Sequence, residues 1–229
     1  LADTAKYLMA IYQRLYDAFG PRRWWPAETA FEVMVGAVLT QNVAWRNVER
    51  AIASLKGTGL MDPMSLYQAD QVHIERLIVP TRYYKTKARK LKALVTLVVE
   101  RYGGDLNRMF SRPLGELRQE LLGVYGIGPE TADAILLYAG NLPIFVVDAY
   151  TRRIFHRLGV FPPDISYGAM QEYFQVHLPR DVALYNEYHA LIDGLGHRLC
   201  LATRPRCGEC PLVDECRYPG EEAVVNGSG

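Results

Sequence analysis

Cysteine is missing from the first 199 of the 229 residues, which argues against a disulfide framework spread over the fold. No apolar run reaches the length of a membrane span; Phe31–Leu39 and Leu94–Val99 are the longest candidates. A basic-then-apolar leader is not visible either, so the expectation is a soluble, cytoplasmic protein. Neither sign of charge dominates: 26 Lys and Arg against 25 Asp and Glu leave a formal +1. Composition alone therefore announces no nucleic-acid partner. Alternating strand patterns are almost absent, and so are internal repeats. Low-complexity sequence is confined to Gly220–Gly229, which reads as an unpacked, flexible tail.

What remains is helical. Thr29 and Glu32 have capping-box spacing ahead of an apolar stretch. Val48, Ala51, Ile52 and Leu55 recur at helical period, as do Ala88, Leu91, Val95 and Val98 before Gly103-Gly104. Leu114, Leu117 and Leu121 follow Pro113. Pro129 opens a helix with Ala132, Ile135, Leu136 and Ala139 on one face and Gly140 as its stop. Asp148 and Asp181 stand where N-caps belong. The expected fold class is all-α.

Local charge is less even than the total. Arg82, Lys85, Lys87, Arg89, Lys90, Lys92 and Arg101 face one acid, Glu100, between positions 82 and 101. A phosphate-tracking stripe and a plain solvated helix face both account for such a run.

All four cysteines lie within seventeen residues, Cys200, Cys207, Cys210 and Cys216, separated by six, two and five residues. Clustering of this kind points to a metal site. Four thiolates suit tetrahedral zinc or an iron–sulfur cluster. Zinc sites usually use two close pairs, whereas here only Cys207 and Cys210 are close. Arg204 and Arg206, inside the first interval, have the charge to meet phosphates.

Gly126-Ile127-Gly128-Pro129 lies between two helical patterns. Two glycines permit positive φ and close backbone approach, and the next helix points its N–H groups at a docked anion. A plain αα-turn has the same sequence signature. Eighteen residues beyond Glu130 comes Val146-Val147-Asp148-Ala149, where Asp148 is a helix cap, a functional carboxylate, or both.

Hairpin, aspartate and cysteine loop, in this order from about Trp24 to Cys216, resemble the endonuclease III superfamily of helix-hairpin-helix DNA glycosylases. The resemblance implies a [4Fe-4S] cluster on the four cysteines and DNA backbone binding by Gly126, Ile127 and Gly128. It implies glycosidic bond cleavage driven by Asp148. Members with lyase activity carry lysine in G-x-G-x-K-T-A; Glu130 stands there, and a carboxylate forms no Schiff base. Trp24-Trp25-Pro26, Gly-Ile-Gly-x-Glu-Thr-Ala-Asp-Ala-Ile-Leu and Tyr185-Asn186-Glu187-Tyr188-His189 are similar to the 3-methyladenine DNA glycosylase III branch. By that likeness Trp24, Trp25 and Trp45 line a base pocket, with Pro26 and Glu130 beside it. Some members of that branch lack the cluster. Gln41 and Tyr83 match positions that wedge into DNA; an exposed loop side chain is the plain alternative. His189 and His197 receive no role.

The expectation is two helical lobes, 23–140 with the hairpin, and 1–22 with 141–219 holding the cluster, with DNA between them. The expected activity is monofunctional release of alkylated purines from damaged double-stranded DNA by a nucleoid-associated monomer. Alternatives are an endonuclease III-like glycosylase/lyase for oxidised pyrimidines, or a weak lesion-binding protein.

Overall fold

The computed structural model describes residues 2–22 and 24–218; the expected tail lies outside the described residues. The helices are α1 (Ala2–Phe19), α2 (Ala30–Leu39), α3 (Trp45–Gly57), α4 (Pro63–Gln68), α5 (Gln71–Leu77), α6 (Tyr84–Thr96), α7 (Leu106–Phe110), α8 (Leu114–Leu122), α9 (Pro129–Ala134), α10 (Ala149–Arg157), α11 (Tyr167–His177) and α12 (Val182–Arg198). No strand occurs among the described residues, and the fold is all-α. No described helix is long and apolar enough to cross a membrane. Two compact units form, Trp25–Leu142 and the described residues of Leu1–Trp24 and Pro143–Gly229.

Short polar side chains start these helices. Asp62, Asp70, Asp105, Asp148, Ser166 and Asp181 each accept a backbone N–H of the first turn, satisfying donors with no partner within the helix. Thr29 does the same for α2 through the Glu32 N–H. Its box is not reciprocal, however. Glu32 accepts from the Glu28 N–H and pairs with Lys56 at 2.8 Å, because Lys56 of α3 draws the carboxylate away from the cap.

In the Trp25–Leu142 unit, α2 is the central helix, with every residue from Phe31 to Leu39 buried. A helix covered all round has no polar stripe to show. α9 runs on into a buried π turn, Ile135–Ala139. The basic run is divided, with Arg82, Lys85 and Arg89 exposed to solvent and the others bonded within the unit. Lys87 is buried, Lys90 bonds to Gln41, and Lys92 donates to the Ala69 carbonyl at 2.9 Å and to that of Tyr67. Arg101 pairs with Glu120 at 3.4 Å. These cations satisfy acceptors inside the unit.

In the other unit, Phe145 stacks on Phe174 of α11 at 4.2 Å and meets Tyr185 and Tyr188 of α12 edge-on. The Tyr188 hydroxyl donates to the Leu8 carbonyl of α1 at 2.8 Å. Ile144–Val147 is buried yet lies in neither helix nor strand. Its polar backbone is met by side chains of α11: the Phe145 N–H donates to Gln175 and the Phe145 carbonyl accepts from Gln171. This segment delivers Asp148 to the start of α10.

Candidate functional site

Asp148 is held by a reciprocal capping box. Its Oδ1 accepts the Thr151 N–H at 2.7 Å and the Thr151 hydroxyl at 2.8 Å, and that hydroxyl also accepts the Asp148 N–H. The other oxygen, Oδ2, lies 3.6 Å from His189 Nε2 on α12. The side chain is 12% exposed. Burial pushes this carboxyl up, but the facing His189 ring and the two Thr151 donors outweigh it, so it sits below the ordinary carboxylate value. One oxygen is anchored and the other is presented, in ionised form.

α10 also faces the cysteine loop. Arg153 donates to the carbonyls of Cys200 and Gly196, and Arg157 to Cys200 Sγ at 3.2 Å and to the Leu201 and Ala202 carbonyls. Gly196 is needed for close approach, since a Cβ there would lie 2.5 Å from the Tyr150 ring. His197 is exposed and meets the Tyr150 hydroxyl at 3.1 Å. All four cysteines are free and line one cavity with Arg157 and Tyr218, about 290 Å³ counting its open mouth. Burial, and then repulsion from the other thiols, pushes the Cys210 and Cys216 thiols up. No described set of three or more such side chains is arranged around a single ion. A polynuclear cationic core suits this chemistry: four converging thiols, room between them, and a guanidinium on one sulfur. Arg204 and Arg206 are exposed on the same loop, Arg204 at φ 52°.

In the other unit, the hairpin turn joins α8 to α9. Only Gly126 uses the left-handed region, at φ 78°; Gly128 is the extended N-cap of α9, with φ −90°. One positive φ suffices here, because the Ile127 N–H closes the turn on the Val124 carbonyl. Gly128 instead leaves the helix start open, with nothing near the position of a Cβ. Ile127 is buried and anchors the turn; Glu130 is exposed in the first turn of α9. An Arg118–Asp133 pair at 2.7 and 3.0 Å ties α8 to α9.

Gln41 follows α2 and rests against the hairpin. Its amide donates to Thr131 Oγ1 at 2.8 Å and to the Gly126 carbonyl at 3.4 Å, and its oxygen accepts from Lys90. Tyr83, by contrast, is 73% exposed. Trp25 meets Trp45 edge-on at 5.3 Å and Tyr138 at 5.4 Å, and it lies over Gly36 of α2. Trp45 donates its indole N–H to Glu49 at 2.9 Å. Pro26 is exposed beside this cluster in sequence, and Trp24 is half-buried in the other unit.

A family model for the "HhH-GPD superfamily base excision DNA repair protein" matches residues 35–180, more than half of the chain. The chain belongs to this superfamily of DNA glycosylases. Its residues are 44% identical to MJ1434 of Methanocaldococcus jannaschii, provisionally named a DNA repair glycosylase, over 90% of this chain and 94% of that protein. The structure is similar to H. pylori 3-methyladenine DNA glycosylase (MagIII) bound to 1,N6-ethenoadenine, with TM-score 0.71, 25% identity and coverage of 83% and 95%. An endonuclease III–DNA complex shares the fold, with TM-score 0.83, 21% identity and coverage of 96% and 98%.

Several residues of this HhH-GPD chain escaped the reading of its sequence. His189 has no local signal, and it is α12 that sets it against Asp148. Thr151, at capping-box spacing from Asp148, was the one legible signal. The partners of Tyr138, Lys90, Thr131 and Arg157 have no local signature, because they lie tens of residues away.

Proposed function

We propose that this HhH-GPD protein is a monofunctional N-glycosylase that hydrolyses the bond between deoxyribose and an alkylated purine in damaged duplex DNA. The observation that carries this reading is the divided Asp148 carboxylate, with Oδ1 bound by Thr151 and Oδ2 presented beside His189. As the C1′–N bond breaks, its electron pair leaves with the base and positive charge develops on the sugar. A fixed, ionised carboxylate stabilises that charge better than water, which would have to reorient. Water then adds to C1′ and gives up its proton. An N-alkylated purine is already cationic and departs neutral, so no strong general acid is required.

The aromatic set Trp25, Trp45 and Tyr138 supports the choice of base. A flipped base needs a surface for its π-face, and aromatic rings favour a cationic base over a neutral one. We assign Trp24, Pro26 and Glu130 to base binding, Gln41 and Tyr83 to filling the duplex, and Gly126, Ile127 and Gly128 with Arg204 and Arg206 to phosphates. Cys200, Cys207, Cys210 and Cys216 would hold a [4Fe-4S] centre, which supplies four metal–thiolate bonds that close the loop. Arg157 compensates its negative charge and links the loop to the helix that Asp148 caps.

The test is release from defined duplexes. The protein should free 3-methyladenine faster than thymine glycol and leave an uncleaved abasic strand. Borohydride should trap no adduct, since Glu130 offers no amine. Trp25→Ala or Trp45→Ala should lower excision by more than duplex affinity, because stacking of about 1–3 kcal/mol acts on the flipped base alone. A trapped adduct with faster thymine glycol release would overturn the proposal.

A further inference from the structure

Lys87 has no part in the proposed chemistry, yet it is the most deeply buried lysine of its helix, 2% exposed on α6. Its ammonium donates to two main-chain carbonyls, Leu39 at 2.8 Å and Thr81 at 2.6 Å. A buried cation held by carbonyls alone is costly, and burial, reinforced by nearby Lys90, pulls its pKa down to about 8. An apolar side chain would fill the same space without that cost. The two acceptors indicate what the charge does. Leu39 is the last residue of α2, and Thr81 is the last of a 3₁₀ turn, Val79–Thr81. Each carbonyl stands at an end of helix where no intrahelical donor reaches it and where a cation is favoured.

Both carbonyls precede a candidate wedge by two residues: Leu39 precedes Gln41, and Thr81 precedes Tyr83. Both turns then enter left-handed backbone without glycine, Asn42 at φ 55°, Arg82 at 55° and Tyr83 at 42°. Such conformations persist only where neighbouring structure over-determines them. The Tyr83 side chain is too exposed to fix its own turn. α6 further supplies Lys90, one turn on, to the Gln41 amide oxygen.

We infer that Lys87 is a positioning residue that fixes the spacing of the Gln41 and Tyr83 turns, so that both side chains enter a duplex together. This rests on the reading of Gln41 and Tyr83 as duplex-filling residues. Wedges matter where a base must be drawn from a stack, and they matter little for a strand already unpaired.

The experiment uses Lys87→Met, with Lys87→Gln as a second variant that keeps a donor, and melting temperature as the check on folding. One dimethyl sulfate-treated strand is offered either annealed to its complement or single. Lys87→Met should lose excision from the annealed form by at least about tenfold, because unstacking is no longer offset by the wedges, and lose under about twofold from the single strand. Separately, 2-aminopurine placed opposite an abasic-site analogue should brighten when the natural protein binds and brighten far less with Lys87→Met, as with Tyr83→Ala. Equal loss on both strand forms, unchanged excision and brightening, or failure of both variants to fold would overturn the inference. If the natural protein releases no methylpurine, the proposed activity fails while the fluorescence still decides the role of Lys87.

Discussion

His189 Nε2 lies 3.6 Å from Asp148 Oδ2, the oxygen that the Thr151 clamp does not use. α12 brings the ring to the carboxylate, and on the same helix Asp193 pairs with His197 at 3.4 Å one turn further on. The Asp148 carboxyl is held below its ordinary value against the opposing pull of burial.

A pH dependence follows. A depressed carboxyl contributes stability above its unfolded value, about 4, and that stability is lost as pH falls through the lower folded value. Excision should stay level down through the ordinary carboxylate range. With His189→Asn the acid limb of the pH–rate profile should move upward, since burial is then opposed by Thr151 alone. A limb that does not move would assign the depression to Thr151.

Asp148→Asn should reduce base release by roughly 10²–10³, the scale of one preorganised electrostatic contact. Folding should change by less than about 1 kcal/mol, because Asn also caps helices. Duplex affinity should be equal or higher once a negative charge is removed. Single-turnover excision beside a binding titration measures both.

At Gly126 a Cβ would lie 2.5 Å from the Lys90 side chain, at φ 78°. Gly126→Ala should cost about 1–2 kcal/mol from the left-handed backbone alone, and it should displace Lys90 from Gln41. Binding should weaken on damaged and undamaged duplexes alike, because a phosphate contact carries no base information. Selective loss on damaged DNA would show the hairpin reading the lesion.

Anaerobically prepared protein should contain iron and labile sulfide and absorb broadly in the visible. Cys210→Ser should lose both. Arg157→Met should release the cluster faster on oxidation and lower the melting temperature, since the buried guanidinium joins Cys200 Sγ to two loop carbonyls. Stoichiometric zinc without iron would refute the cluster assignment.

Lys87 is held at about 8 by burial and by Lys90, against about 10.4 in the unfolded chain. The folded state therefore releases its proton first, and stability gains as pH rises from 8 towards 10.4, by at most about 3 kcal/mol. Natural protein should gain on Lys87→Met over that range in denaturant titrations.

The sequence by itself determined several helices and their ends. Asp148, Asp181 and Thr29 cap, Pro129 opens and Gly140 closes a helix, because these choices depend on neighbours within a turn or two. Cysteine spacing and the Gly126–Gly128 hairpin were legible for the same local reason. Tertiary structure alone decided the rest. It made Lys87, one cation in an apparent basic stripe, a buried tie between two turns, and it gave Gln41 its hold on the hairpin. It set His189 against Asp148 across forty-one residues of chain and brought Tyr138 under Trp25. Hydrophobic period records which face of a helix is covered, but not which distant carbonyl or ring covers it. A buried polar group must find its partner wherever packing brings one within reach.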